Sequence, residues 1–560
     1  MADASLSRFD WEVQPRLDCA RMPALTMRIG GAGDRAKTAR LFLWLAVAIV
    51  CVSLIATFRL GVERGLRDTI GNESWGRILF GVGTAITQMD HGGYGYALST
   101  VIETVLTYGG LTDDPKILAP LGAEFPGNLR DPALINAAID KAARFGWPFN
   151  PKDAIRGSGG DDLGFVDYVR LSFLVFGHKI QSLYYTYFLI FGVSAAVFLW
   201  TFRSRPALLM LLVITSVAQT ILLASNLFAS HNLGSISDPR FLSIMATVPG
   251  LHLGCLLLDR SPPSITNVAS AIVQSMILIF AVWIRASAIW VILAVAVFAG
   301  LVTIWGLLKR RNELRRVWCL GILLAVLAVH TLWVTMTLHP IYRNEGEISH
   351  HVFWHAVFYQ LQFHPRWNEK YAASYDFATF DELPPVAARK YLLRHPPSHP
   401  EEVYLPKDRK YLRIAPSEAY VRKAYFEFFA NDPTFALESL LIYNPLGMAV
   451  VFAGYLSSLD WTTIMELLSA SVVLLILAGF LVAESDQRRL FKHGVLLATG
   501  GFFVSLLPIL LTVPNYPTMG DQYFALLIML GCWAVLAFAA GLRVLLGRAP
   551  QLTDGTPRAP

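Results

Sequence analysis

GSGGDDLGFVDYVRLSFLVFGHKIQSLYYTYFLIFG, residues 157–192, decides the fold. It begins as a glycine-rich acidic turn, continues as an amphipathic segment, and ends inside an apolar run able to cross a bilayer. Asp161, Asp162 and Asp167 are therefore expected in water, just above the point where the chain enters the membrane. Every long polar segment of the sequence stands in a similar relation to an apolar run.

Composition agrees with this reading. Of 560 residues, 54% are hydrophobic and only 16% charged, and the mean hydropathy is +0.47, too apolar for a soluble protein of this length. Aromatics reach 12%, which suits Trp and Tyr belts at two membrane surfaces. The net charge of +6 does not point to nucleic acid, because the basic residues cluster at the ends of apolar runs, where they set orientation. Cys51, Cys255, Cys319 and Cys532 lie in or beside expected spans, and Cys19 precedes them all. The long polar loops hold no cysteine, so neither a disulfide framework nor a CxxC metal or redox motif is expected there. The polar N-terminus lacks the layout of a cleavable signal peptide, and the first apolar run reads as a retained signal anchor.

Residues 1–40 read as a cytoplasmic segment, with Arg28, Arg35, Lys37 and Arg40 ahead of a first span at 41–58. Residues 59–179 form a first extracytoplasmic domain, with helices expected at 72–107 and 132–145 and a turn at Gly92, Gly93 and Gly95. The block 180–338 contains six apolar runs, at 180–201, 207–227, 241–258, 265–284, 287–307 and 317–338. Basic connections at Arg203/Arg205, Asp259/Arg260 and 309–316 alternate with connections poor in Lys and Arg. A second extracytoplasmic domain spans 339–462 and includes the ambiguous run 435–459. If that run crossed, the basic stretch 487–492 would fall outside. Glu438, Asn444 and Pro445 also weigh against immersion, so we read the run as interfacial or re-entrant. Residues 463–542 then supply spans at 463–483, 494–513 and 522–542, ahead of a cytoplasmic tail at 543–560. The expected fold class is an all-α polytopic membrane protein. It has about ten transmembrane helices and two extracytoplasmic, mainly helical loop domains.

This topology gathers Asp90, Asp161, Asp162, Asp238, Asp460 and Asp521 on the outer side, with Glu466 just below the surface. Carboxylates so placed serve as a general base for a hydroxyl acceptor, or hold a divalent cation beside a phosphate leaving group. The ordinary alternative is that loops are simply where charges reside. Asp90 leads because it sits in QMDHGGYGYA, where glycines admit a ligand close to the backbone and Tyr94 and Tyr96 offer stacking faces. A turn with surface aromatics explains the same residues. Asp238 and Arg240 share the loop SDPRF, where the guanidinium fork suits a lipid-linked diphosphate. The alternative there is Asp238 as a helix cap and Arg240 reaching to headgroups.

His351 and His355, in HHVFWH, lie four apart on one helical face, with Glu347 nearby to complete a metal site. No HExxH glutamate is present, which excludes a zinc peptidase, and a packed aromatic helix at the membrane surface is the competing reading. His252 and His330 read as hydrogen-bonded between spans. No Walker loop, GxSxG elbow, kinase signature or nucleic-acid module occurs, so those classes drop out.

Together these features resemble the membrane-embedded, lipid-linked-sugar glycosyltransferases of the GT-C type, such as protein O-mannosyltransferases and aminoarabinose transferases. A first span is followed by a long outer loop bearing an Asp. The chain then returns through LSFLVFGHKIQSLYYTYFLIFG, similar to the helix by which that family re-enters the membrane. The resemblance covers 41–240 in pattern and is architectural beyond. This sequence lacks the family's acidic pair close after the first span. The resemblance implies Asp90 as catalytic base, Asp238 as a second-loop acidic residue and the Asp161/Asp162 turn as another claimant. It also implies a polyprenyl-phosphate sugar as donor and no nucleotide-sugar site.

Under that reading the donor enters between helices, Arg240 or a divalent cation holds its phosphate, and the second outer domain selects the acceptor. No other cofactor is expected. The lipid bilayer is the partner common to all readings, and for a bacterial protein it is the inner, plasma membrane. Two other classes stay open: a non-enzymatic scaffold for cell-envelope partners, and a transporter or flippase of envelope intermediates. The nearly uncharged middle spans weigh against ion coupling.

Overall fold

In hydrocarbon a chain must satisfy its own backbone, and an isolated apolar run can do so only as a helix. The computed structural model accordingly places the first apolar run inside one long helix, α1 (Ala32–Thr69). The structure describes residues 32–69, 132–144, 163–224, 239–258, 263–308, 317–337, 353–379, 382–399, 404–405, 408–412, 414–447, 449–450, 485–511 and 520–545, with single residues and short groups between 78 and 89 and at Gly479 and Val482.

The opening stretch folds as its pattern requires. Helix α2 (Pro132–Arg144) precedes it, and α3 (Leu163–Phe176) carries the amphipathic segment. Gly177 then adopts a left-handed φ of +85°, a conformation that favours glycine, and breaks the helix. The Ser182 hydroxyl donates to the Gly177 carbonyl at 2.6 Å and locks the turn into α4 (Gln181–Thr201). Next come α5 (Pro206–Ala224), a short helix Pro239–Leu242, a 3-10 turn Ser243–Ala246, and α6 (Thr247–Leu258). Helix α7 (Ile265–Ile284) begins where the Ser264 side chain accepts from the Asn267 amide and ends at extended Arg285. Helices α8 (Ile289–Leu308) and α9 (Trp318–Thr337) complete this block.

The second polar region contains α10 (Phe353–Tyr359), α11 (Leu383–Arg394), α12 (Ile414–Asn431) and α13 (Pro433–Glu438). An antiparallel ribbon of β1 (Tyr404–Leu405) and β2 (Asp408–Leu412) interrupts its helices. Helix α13 passes into a π-helical turn, Ser439–Tyr443. The last described helices are α14 (Ser485–Ser505), Leu507–Leu511, and α15 (Gly520–Leu545).

Six described helices are long and apolar enough to cross a membrane: Arg40–Arg59, Gln181–Thr201, Ile265–Ile284, Ala286–Leu308, Trp318–Thr337 and Phe524–Leu545. They are consistent with a multi-pass membrane protein. The expected runs at 207–227 and 241–258 are present as shorter apolar helices, Pro206–Ile221 and Ser243–Leu258. The run expected at 494–513 differs more. Its helix starts at Ser485, so Arg488, Arg489 and Lys492 occupy its first turns instead of a loop. The run at 463–483 lies outside the described residues except for Gly479 and Val482.

Contacts show which helix ends lie together. A Cβ on Gly494 would meet Leu211, which sets the first halves of α5 and α14 side by side. The Cys319 thiol lies 3.9 Å from the Leu253 carbonyl, joining the start of α9 to the later half of α6. His252 packs 5.0 Å from Phe202 at the end of α4. At the other end, Phe58 stacks on Tyr185 and the Thr57 and Thr220 hydroxyls bond at 3.1 Å. Trp283 donates its indole N–H to Asp167 at 2.8 Å there, tying α7 to α3. Arg40, Arg203, Arg205, Arg488, Arg489 and Arg543 thus lie toward one side of the bundle, and Arg59, Lys179 and Arg285 toward the other.

Helix α2 docks at the opposite end. The Asn136 carbonyl oxygen accepts from the Ile180 amide, and its amide donates to Gln181, both at 2.8 Å. The domain 353–444 has its own core of Phe358, Trp367, Tyr425, Phe428 and Phe435, and Leu511 packs against it. Asn444 anchors it further by donating to the Leu510 carbonyl at 3.1 Å and to Gln360.

Candidate functional site

Most residues singled out in the sequence fall outside the described residues: Asp90, Tyr94, Tyr96, Asp161, Asp162, Asp238, Glu347 and His351. Arg240 lies in the short helix Pro239–Leu242, ahead of α6. His355 is half-buried in the first turn of α10. Its backbone amide donates to Glu418 Oε1 at 2.9 Å, while the Trp354 amide donates to Oε2 at 2.8 Å. Glu418 therefore caps α10 with both oxygens, a negative charge at the positive end of a helix. Among the described residues, no group of three or more His, Cys, Asp or Glu side chains could hold a metal ion.

What the described residues do assemble is a polar and aromatic seam where the 353–444 domain meets the bundle. His364 is buried, stacked on Phe435 at 3.8 Å, with Tyr443 edge-on at 4.5 Å. Its Nδ1 accepts from the Arg366 amide at 3.1 Å, which leaves Nε2–H to donate to Glu438 Oε2 at 3.0 Å. The Arg366 guanidinium reaches the same oxygen at 3.0 Å. The His364 hydrogen bond and the Arg366 charge hold the Glu438 carboxyl below its ordinary range. With both ring nitrogens engaged, His364 has no lone pair to act as a base in this arrangement. Its chemistry here is positional: it fixes the turn that leads from α13 into Asn444.

A second charged cluster lies one turn away. Asp432 accepts from Lys370 and from the Tyr371 hydroxyl, and also caps α13 through the Phe435 amide at 3.2 Å. Burial pushes the Asp432 carboxyl up, but these donors outweigh it and hold it below the ordinary value. Lys390–Asp376 and Arg394–Glu427 pair on the surface at 2.7 and 3.3 Å.

Within the bundle, a side-chain network joins α4, α6 and α7. Ser194 donates to Gln274 Oε1 at 2.7 Å, and Gln274 donates back to the Ser194 carbonyl at 2.8 Å. Gln274 Nε2 also lies 3.5 Å from His252 Nδ1, and His252 Nε2 lies 3.2 Å from the Ser270 hydroxyl. This is the interhelical bonding expected of His252. His330 instead packs against Trp283 and Trp333.

Sequence reasoning missed Glu418, His364 and Asn136 as organising residues. Their partners lie 44 to 74 positions away, so no local spacing marks them. Glu438 and Asn444 left a trace, as polar residues in a run otherwise apolar enough to enter the membrane.

No family model, no curated relative and no solved structure matches this chain. The functional reading rests on its own residues.

Proposed function

We propose that this protein works at one face of a membrane, moving a sugar from a polyprenyl-phosphate donor to an extracytoplasmic acceptor. One observation carries the reading: Arg203, Arg205, Arg488, Arg489, Lys492 and Arg543 lie toward one side of the bundle, while α2, α3 and the 353–444 domain sit on the other, where Arg59, Lys179 and Arg285 also lie. By the positive-inside rule the basic side is cytoplasmic, together with the N-terminus, and the domains are outside. Ten spans follow if the run 435–459 does not cross. Asn444 beside Leu510, and Gly479 against Phe538 toward the basic side, support that count.

In this mechanism Asp90 takes the proton of an acceptor hydroxyl, while Arg240 or a divalent cation neutralises the departing polyprenyl phosphate. Asp238 and the Asp161/Asp162 turn supply further carboxylates on the same face. A site at His351, His355 and Glu347 would hold a metal in the second outer domain. The scaffold reading has its own support: the charged groups described in the 353–444 domain are largely engaged with one another.

Membranes carrying the full chain, assayed for transfer from polyprenyl-phosphate sugars, separate the two. Asp90→Asn should lower transfer about 10²–10⁴-fold with the protein still folded. Arg240→Lys should weaken donor binding, because an ammonium cannot reproduce the guanidinium fork. Unchanged transfer and unchanged envelope glycans in Asp90→Asn would leave the scaffold reading in place.

A further inference from the structure

Helices α6, α8, α14 and α15 leave a cavity of about 90 Å³ between them, at the end of the bundle where α6 and α8 begin. Its lining is sorted by depth. Thr247 and Ser287, at the starts of α6 and α8, and Ser505, at the end of α14, form a hydroxyl rim. Leu251, Val295 and Leu497 make apolar walls deeper in the bundle. No charged side chain is among the lining residues.

The space is large for water and wrongly lined for it. One water occupies about 30 Å³ and needs two to four polar partners, whereas the deeper walls offer none. An apolar cavity of about 150 Å³ in a protein interior stays dry and takes up an aromatic hydrocarbon. The surroundings supply a hydrocarbon. Leu293 and Val297 of α8 and Leu530 and Trp533 of α15 are exposed on the flanking faces, where the membrane reading puts lipid. Gly501 enlarges the space, since a Cβ there would meet nothing within 4 Å.

The rim selects the head of the chain. Ser505 donates to the Phe502 carbonyl at 2.7 Å, so its oxygen can only accept, while Thr247 and Ser287 bring hydroxyl donors. Such a rim suits a neutral acceptor. A phosphate on the first carbon of the chain would find no cation among the lining residues, at a large desolvation cost; Arg285, two residues before Ser287, is itself buried at the end of α7.

We infer that this cavity takes the first few methylenes of one acyl chain of a glycerolipid, with the ester group at the Thr247–Ser287 rim and the rest of the chain against the exposed faces of α8 and α15. The chain fills the space between α8 and α15 as a structural component of the bundle. The inference does not depend on the transferase reading, because the lipid is neither donor nor acceptor.

The test uses the full chain in nanodiscs of phosphatidylethanolamine and phosphatidylglycerol, with a trace of phospholipid bearing a diazirine-labelled acyl chain. After photolysis, the label should concentrate on cavity-facing residues of α8 and α14. Gly501→Leu, whose side chain enters open space, should abolish that labelling. Gly500→Leu, on the exposed neighbouring face, should leave it unchanged. Ala294→Leu narrows the cavity from α8 and should act like Gly501→Leu, so a folding defect in one variant does not decide the outcome. Excess unlabelled phospholipid should displace the label. Even labelling over all exposed faces, or labelling kept in both narrowing variants, would overturn the site. Displacement by polyprenyl phosphate but not by phospholipid would overturn the glycerolipid assignment.

Discussion

Helices in the bundle approach closely at glycines and turn hydroxyls back on their own carbonyls beside buried rings such as Tyr168, Tyr184, Phe198 and Phe202, whereas those of the 353–444 domain pack rings fringed by ion pairs. In lipid, apolar surface gains nothing by association, so close backbone approach and hydrogen bonding must hold helices together. Gly164 brings α3 onto the backbone of Trp283, and Gly254 and Gly494 admit Leu497 and Leu211. Ser172, Thr186, Thr215 and Ser216 return their hydroxyls to carbonyls four residues back, which removes them as unsatisfied groups in hydrocarbon. In the 353–444 domain, burial from water does the corresponding work. Trp367 sits among Tyr371, Tyr375, Phe428 and Phe435, with Lys370, Tyr371 and Asp432 clasped at the edge. Apolar exposure therefore has opposite meanings in the two regions: it marks a lipid face in the bundle, and a surface to be covered in the domain.

The sharpest way to break this comparison is to separate helices by one methyl group. A Cβ on Gly164 would lie 2.2 Å from the backbone carbonyl of Trp283, which cannot move aside as a side chain can. Gly164→Ala should cost about 3 kcal/mol, near the top of the range for overpacking. Gly192→Ala, in α4 with nothing within 4 Å, should be neutral or stabilise the helix by about 0.5–1 kcal/mol. Thermal unfolding of the two variants in one detergent compares them directly.

Gln274→Leu comes next. It removes the donor and acceptor that join α4 to α7 and strands the Ser194 hydroxyl, with an expected loss of about 1–2 kcal/mol. In the 353–444 domain, Glu418→Ala should cost about 1 kcal/mol by uncapping α10, and faster hydrogen exchange at Trp354 and His355 would report it. Equal effects of Gln274→Leu and a conservative surface change would mean that the buried network does not tie the helices.

Much of the bundle was legible because lipid imposes a single solution on an apolar run. The run 265–284 became α7 (Ile265–Ile284), since Ser264 caps one end and Arg285 interrupts the other. Residues 485–493 were not legible as helix, because SDQRRLFKH is too polar to join an apolar run although nothing in it opposes helical geometry. The two-stranded ribbon was missed for a similar reason: five residues of β2 carry no alternating pattern against a partner of two. The seam at His364, Glu438 and Asn444 depended on contacts across 66 to 84 positions, which a single sequence does not encode locally.

The smallest effect is the response to pH, and its sign differs at the two extremes. Asp432 and Glu438 titrate below their ordinary values of 3.8 and 4.5 in the folded chain. Their stabilisation is present above those values and is lost as pH falls through the depressed ones. Burial pushes Tyr375 from 10.0 up to about 12. Its contribution is complete below pH 10 and is lost as pH rises toward 12. Pepsin cleavage within 353–444 should thus rise only below about pH 4.5, the ordinary value of Glu438. Asp432→Asn should blunt that acid response.

The central claim is that the basic helix ends and the 353–444 domain face opposite sides of a membrane. Single cysteines replacing Arg203, Arg489 and Lys423, labelled with an impermeant maleimide in sealed right-side-out and inverted vesicles, test it most directly. The Lys423 position should react only in right-side-out vesicles, and the Arg203 and Arg489 positions only in inverted ones. Labelling of the Arg489 and Lys423 positions from the same side would contradict the account.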